Sequence, residues 1–357
     1  MAKKSKSSKN SKSSKKSKFS IALIIVDVIV LICFFLAYGP FSFFRDYLVT
    51  TAMTTMNHKY FAYVLYSEEM VEKILANNKI IESDSPTDIS KINTKPVLDT
   101  GTYESIYEEQ VLKRDKNNDI YKLVNISGSK WKGYMVVVYD PSKLRLVFSK
   151  GFGAGGEYLS TMAKNNNALV AMNASGVFTK YGNRNTGTTI LDGKVKYVGK
   201  KINKGGGLIG FTKDNVLMLT KKTATEAIKD GMDRAVEFGP FLIVNGKESE
   251  FKGNGGWGIA NRSAIGQRQD GIVLLLCIDG RSKDSFGISM TELKDIFVRY
   301  KAYNAANLDG GGSSAMYANG KLINTPVGYG YSGERYLPNA WMILPENTKE
   351  VKDGNKK

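Results

Sequence analysis

The sequence predicts an α+β fold: a single mixed, strand-rich domain with helices packed on a sheet, preceded by an N-terminal transmembrane helix and a helical stalk. Three observations carry this expectation. Phe19 to Tyr38 is an almost unbroken apolar run of twenty residues, the length a helix needs to cross a bilayer. Beyond residue 130, short runs rich in Val, Ile, Leu and aromatic residues alternate with Gly, Asn, Asp and Pro turns, the signature of strands. Residues 290–304 carry the one strongly periodic helical pattern of that region, opened by the capping-box spacing Ser289 to Glu292.

Residues 1–18 are almost only Lys and Ser and should be disordered. Residues 19–44 form the anchor. Asp27 near its middle should cost roughly 2.5–3.5 kcal/mol, which the surrounding apolar residues more than offset, and it reads as a tolerated polar residue facing a partner helix or a water defect. A cleaved signal peptide would have a shorter apolar core; here aromatics continue through Phe41, Phe43 and Phe44. The eight lysines of residues 1–18 place that side in the cytoplasm and the rest of the chain outside.

Residues 45–104 read as a helical stalk and linker. Phe61, Val64, Leu65, Val71, Ile74 and Leu75 recur at helical spacing, and Ser83 to Thr100 is polar with two prolines. Residues 105–346 form the domain. Gly133–Tyr139 and Leu144–Phe148 are strand-like and, joined by Asp140-Pro141-Ser142, read as an antiparallel hairpin. A short helix over 157–166 follows, then a buried strand, Ala168–Met172. Residues 187–220 hold several short strands, Phe241–Val244 with Asn245-Gly246 reads as a hairpin, and Gly271–Ile278 as a central strand. Residues 347–357 are a charged tail.

Nearly half of the net charge of +17 is tail: removing its eight lysines leaves +9 on the other 339 residues. A nucleic-acid partner therefore loses most of its support. The expected partners are a glycan or sugar-phosphate substrate and, through residues 19–44, the lipid bilayer. Cys33 and Cys277 cannot plausibly meet, so no disulfide is expected. The only histidine, His58, lies before the domain. A Ser-His-Asp triad and a histidine zinc site are thereby disfavoured, and acid–base work must fall to Asp, Glu, Tyr or Lys.

Two glycine-rich segments invite comparison. Gly151-Phe-Gly153-Ala-Gly155-Gly156 fits the dinucleotide pattern, but the next strand ends in Asn173-Ala174-Ser175 without the required acid. It reads as a Gly-rich connection. Asn307-Leu-Asp309-Gly310-Gly311-Gly312-Ser313-Ser314 sets one carboxylate against three glycines and two hydroxyls, a composition suited to a phosphate or a sugar. Apolar strands elsewhere end in Asn173 with Ser175, in Arg262, and in Asp279 with Arg281. If those ends share one side of a sheet, they line a polar cleft in which guanidiniums bind phosphate and carboxylates serve in glycoside cleavage.

Met172-Asn173-Ala-Ser-Gly-Val-Phe178, Gly239–Gly246, Arg262-Ser-Ala-Ile-Gly266, Asp279-Gly-Arg281, Asn307–Ser314 and Leu337-Pro-Asn-Ala340, in that order, resemble the phosphodiester glycosidase family over about residues 130–346. The anchor and stalk are similar to those of its membrane-bound bacterial members, described as exopolysaccharide-related. The resemblance implies a mixed α/β fold and a hydrolase that cleaves a sugar-1-phosphodiester in extracellular or cell-wall glycans, with the glycine-rich loop at the site. One departure is visible. Where the family commonly has Asn-Gly-Gly-Phe-Phe, this chain has Asn173-Ala-Ser-Gly-Val-Phe, so the substrate of the family's animal members does not transfer.

The expected roles follow. Asp309 or Asp279 acts as base or stabilises the oxocarbenium-like state. Arg262 and Arg281 hold the phosphate, and Gly310, Gly311, Gly312 and Ser313 orient it, with Asn173, Ser175 and Ser314 as further substrate contacts. The spacing requires no cofactor and no metal, although Asp279 and Asp309 could hold a divalent cation such as calcium. The alternative to catalysis is a non-catalytic binding or assembly protein for a phosphate-containing exopolysaccharide or wall polymer.

Overall fold

A computed structural model describes residues 7–54, 59–95, 99, 101–116, 118–178, 181–182, 184–199, 205–330 and 332–345. His58 and the charged tail over 347–357 lie outside the described residues. The chain divides into two compact units at Asn78/Lys79.

In the first unit the anchor belongs to the Ser7–Tyr38 helix, of which Phe19–Tyr38 has a mean hydropathy of 3.0 and is, among the described residues, long and apolar enough to cross a membrane. The helix reaches back to Ser7, into the stretch whose composition predicts disorder. Once a helix is nucleated in the apolar run, each added residue gains a hydrogen bond without a new nucleation cost. After Gly39-Pro40 the helical reading of the stalk resolves into Ser42–Thr54, Lys59–Leu65 and Glu68–Asn77, which bury Val49, Ala62, Tyr66, Val71 and Ile74 against one another. Ser67 caps the last of them by accepting the Met70 N–H.

The second unit starts at Lys79, well before residue 105, because the polar linker is bound to it. Ile80–Ile81 pairs antiparallel with Glu250–Phe251, and Glu82 accepts the Gly206 N–H at 2.8 Å. Thr87 N–H donates to Leu219 O and Asn93 N–H to Gln269 O. A proline-containing polar stretch reads as a tether; backbone hydrogen bonds to a distant sheet edge have no local sequence signal.

Among the described residues, three antiparallel sheets larger than the Ile80–Ile81 pair share a core. The large sheet runs Lys247–Glu248, Phe241–Val244, Ala302–Asn307, Arg262–Arg268, Val273–Ile278, Lys132–Val138, Tyr121–Ser127. A second runs Lys321–Leu322, Met316–Ala318, Val170–Asn173, Asn339–Ile343, Leu144–Phe148. The third runs Lys194–Tyr197, Thr189–Leu191, Met232–Phe238, Gly207–Thr212, Leu217–Thr220. The central strands are continuously apolar because both faces are covered. Val136, Val273, Leu275 and Cys277 point into the core shared with Met172, Trp341, Phe211 and Leu219. Their alternates Met135, Val137, Leu274 and Leu276 meet Leu293, Ile296 and Phe297 of the Met290–Arg299 helix. The Leu159–Asn165 helix covers the outer face of the second sheet in the same way.

Two local expectations change. The strands on either side of Asp140-Pro141-Ser142 are not a hairpin: Lys132–Val138 pairs with Val273–Ile278, whereas Leu144–Phe148 pairs with Asn339–Ile343 in the second sheet. The short helical turn Pro141–Lys143 redirects the chain between sheets. The capping box of Ser289 and Glu292 is formed, but the helix stops at Arg299. Lys301 turns at φ 56° and Ala302 enters the large sheet, where two-sided pairing outcompetes continued helix.

Candidate active site

The polar strand ends do gather on one side, at the meeting of two sheets rather than along one. In the large sheet Arg262 stands opposite Ile278 and Ala264 opposite Asn307, so Arg262, Asp279 and the loop that follows Asn307 lie at the same end. In the second sheet Asn173 stands opposite Ala340, and Met316 opposite Met172. The chain passes from Asn307 to Met316 through the glycine-serine loop, which therefore bridges the two sheets. Asn173 fastens it. Its Nδ2 donates to Asp309 O at 2.7 Å, and its Oδ1 accepts Ser263 Oγ at 2.7 Å and Ala315 N at 3.1 Å.

The glycines of the loop have separate reasons. Gly311 sits at φ 59°, and a Cβ there would lie 3.3 Å from Arg281 Nη2, so this guanidinium stands over the loop. A Cβ on Gly310 would lie 2.7 Å from Asn261 O, a backbone atom. A Cβ on Gly312 would meet nothing nearer than 3.6 Å. The loop is not an open cradle of donors: Gly311 N–H donates to Asn261 O, Ser313 N–H to Gly310 O and Ser314 N–H to Gly311 O.

Both carboxylates lie at this junction, in different settings. Asp279 is 2% exposed. Its Oδ1 accepts Thr325 N at 2.8 Å and Asn324 Nδ2 at 3.3 Å, while its Oδ2 is enclosed without a hydrogen-bond partner. Asp309 is half-buried as a residue, yet its Oδ2 is likewise enclosed and unpartnered. Burial raises the Asp309 carboxyl above the ordinary Asp range. The Ser313 hydroxyl, the Arg335 charge and the Gly310 and Val177 N–H groups oppose that rise without cancelling it. Burial also raises Asp279, against Thr325, Asn324 and Lys132.

The two arginines singled out in the sequence separate. Arg262 is 4% exposed; its Nη2 donates to Trp257 O at 3.0 Å and Gly258 O at 2.8 Å, and its guanidinium lies over the Trp257 ring. Burial, then the nearby charge of Arg281, lowers it to about 9. It holds the Trp257–Gly258 loop under the site. Arg281 is exposed beside Gly311. Ser175 also turns inward: its N–H and Oγ both donate to Asn339 Oδ1, at 3.0 and 2.8 Å. Ser313 Oγ accepts Arg335 Nη1 at 3.4 Å, and Ser314 Oγ is buried without a partner.

Arg335 is the cation that sequence reasoning passed over, although Leu337-Pro-Asn-Ala340 stands two residues further on. Its loop is held by Glu334, 2% exposed, whose carboxylate accepts Ser160 N at 2.9 Å, Ser160 Oγ at 2.7 Å and Ser332 Oγ at 3.0 Å. Among the described residues no three of Asp, Glu, His and Cys come together as metal ligands would.

The family model described as phosphodiester glycosidase matches residues 166–344, half of the chain and the stretch that contains this whole junction. The chain belongs to the phosphodiester glycosidase family. Among curated proteins it is similar to the SPbeta prophage-derived protein YomE of Bacillus subtilis, 33% identical over 180 residues, 47% of this chain and 27% of YomE. It is also similar to human N-acetylglucosamine-1-phosphodiester alpha-N-acetylglucosaminidase, 37% identical over 120 residues, 34% of this chain and 20% of that protein. The matched parts thus span little more than a quarter of one relative and a fifth of the other. Among solved structures, the catalytic domain of the zebrafish N-acetylglucosamine-1-phosphodiester alpha-N-acetylglucosaminidase shares the fold, with a TM-score of 0.53 at 20% identity over 65% of this chain and 85% of that one.

Proposed function

We propose that the protein is a membrane-anchored hydrolase that cleaves a sugar-1-phosphodiester in a glycan, releasing the sugar and leaving a phosphomonoester. The observation that carries this reading is the Asp309 carboxylate, enclosed and unpartnered at Oδ2, on a loop flanked by the guanidiniums of Arg281 and Arg335. Two exposed or half-exposed arginines suit the phosphate of the diester, since a guanidinium binds phosphate oxygens through paired N–H donors. Their charge stabilises the departing phosphate, so little proton donation to the leaving oxygen is needed. Water attacks the anomeric carbon as the bond from that carbon to the phosphate oxygen breaks. Its electron pair leaves with the phosphate, and the water proton passes to ionised Asp309. The same carboxylate stabilises the positive charge that develops on the sugar.

Asp279, with Oδ1 tied to Thr325 and Asn324, is the second carboxylate of the site and the competing candidate for the base. Arg262 is assigned no contact with phosphate, because it is 4% exposed and its Nη2 is held by the Trp257 and Gly258 carbonyls. The lysine-rich segment before the apolar helix supports an anchor with its N-terminus in the cytoplasm and the domain on the outer face.

The test is incubation of the full chain, in detergent micelles, with a panel of sugar-1-phosphodiesters, following released sugar by NMR. Turnover by the natural sequence and its loss in Asp309→Asn are expected. Unchanged hydrolysis by Asp309→Asn would remove Asp309 from the mechanism. Binding of the panel without turnover would favour a non-catalytic role.

A further inference from the structure

A cavity of about 320 Å³ opens beside the junction, lined by Phe178, Arg184, Asn185, Tyr197, Val198 and Gly199. It is joined to the site through the backbone. Val177, whose N–H faces the Asp309 carboxylate, bridges to Asn185, and Phe178 N–H donates to Arg184 O at 3.0 Å. Val177 therefore meets Asp309 through its backbone, and the next residue, one Cα step of about 3.8 Å away, lines the cavity.

The lining is built for a ligand of definite chemistry. Asn185 is 1% exposed, its Nδ2 donates to Gly187 O at 3.0 Å, and its Oδ1 is buried with no hydrogen-bond partner. An enclosed amide oxygen left unpaired is costly unless a ligand supplies the donor. Phe178 is 46% exposed, and Tyr197, braced edge-on by Phe152, offers a second ring. Aromatic faces beside one buried acceptor suit the apolar face and a hydroxyl of a sugar ring, in a cavity at the small end of ligand-sized sites. Arg184 is exposed at the same cavity, and the exposed Lys194 lies on the strand that carries Tyr197. A guanidinium binds a phosphate or carboxylate more strongly than a neutral hydroxyl.

We infer that this cavity is the subsite for the sugar next to the scissile linkage, and that it selects a sugar carrying a second anionic group, a phosphate or carboxylate, held by Arg184. The substrate class is then a glycan with a second anionic group on the sugar rather than a neutral glycoside. This rests on the reading of the junction as a phosphodiester hydrolase, and the test separates the two.

Glucose 1-phosphate and glucose 1,6-bisphosphate are titrated into the full chain in detergent by calorimetry. The bisphosphate is expected to bind at least tenfold more tightly. Arg184→Ala should bring that ratio close to one while leaving glucose 1-phosphate affinity unchanged. Phe178→Ala should weaken both ligands alike. Arg184 and Phe178 are exposed, so both variants should fold, which circular dichroism checks. Equal affinities for the two ligands in the natural sequence, or a ratio that survives Arg184→Ala, would overturn the subsite. If the ratio depends on Arg184 but no phosphodiester is hydrolysed, the subsite stands and the hydrolase reading falls. If hydrolysis occurs and Arg184→Ala leaves KM unchanged for mono- and bis-anionic diesters alike, the reverse holds.

Discussion

The two glycine-rich loops, residues 151–156 and 309–314, share a composition and differ in what they leave unpaired. In the first, Phe152 N–H donates to Ser149 O, Ala154 and Gly155 N–H to Gly151 O, and Gly156 N–H to Tyr181 O. Ser149 Oγ closes it from the side by donating to Gly155 O. Its glycines serve a tight turn between the Leu144–Phe148 strand and the Leu159–Asn165 helix. In the second, the backbone is held just as firmly, yet Asp309 Oδ2 and Ser314 Oγ are buried without partners. Glycine density marks close packing in both places. Unsatisfied polar atoms beside cations distinguish the one suited to chemistry.

The largest test of that contrast is Asp309→Asn. It should lower kcat by about 10²–10⁴-fold, the range for loss of a positioned acid–base group. The same substitution should raise the melting temperature near neutral pH. Burial puts the folded-state pKa of Asp309 above its unfolded value, so its ionisation disfavours the folded state. The folded protein then loses stability as pH rises from the unfolded toward the folded pKa, a loss the amide does not incur. A melting temperature lowered by Asp309→Asn at pH 7 would contradict the net effect of burial.

Next comes steric disruption. Gly310→Ala drives a Cβ to 2.7 Å from Asn261 O, and Gly151→Ala one to 2.8 Å from Gly155 O. Each should cost about 1–3 kcal/mol by urea melts, the usual range for overpacking. Only Gly310→Ala should also lower kcat of the folded fraction, by tenfold or more. Equal kinetic effects would erase the distinction between the loops.

A smaller effect is the pH profile. If Asp309 works ionised, kcat/KM should rise with pH through a limb lying above the ordinary Asp range, and Asp279→Asn should leave that limb in place. A limb abolished by Asp279→Asn would exchange the roles of the two acids. The smallest effect is expected at Gly312→Ala, where the new Cβ lies 3.6 Å from Gly328 Cα. Stability should change by less than about 1 kcal/mol, with activity within threefold.

Sequence alone determined what depends on local pattern. The apolar helix over Phe19–Tyr38, the capped Met290–Arg299 helix and the Asn245-Gly246 hairpin, with Asn245 at φ 54° and Gly246 at φ 73°, follow from length, periodicity and turn chemistry. The ordered motifs that run from Asn173 to Ala340 declared the family, and the loop carrying Asp309 was legible as the place to look. Tertiary structure decided the rest, because it depends on which distant groups meet. Arg262 and Arg281 look alike as residues after or before strands, yet one lies beneath the Trp257 carbonyl and the other over Gly311. Arg335 reaches Ser313 only through a loop pinned by Glu334 to Ser160. Asn173 and Ser175 sit at a strand end that sequence reads as ligand-facing, but both are buried, and their hydrogen bonds tie that end to Asp309, Ser263 and Asn339. Backbone propensity acts over a few residues. Burial and pairing, which decide whether a polar side chain has a partner or is left to find one in a ligand, are set by which elements meet, whether 22 residues apart, as for Arg335 and Ser313, or 136, as for Asn173 and Asp309.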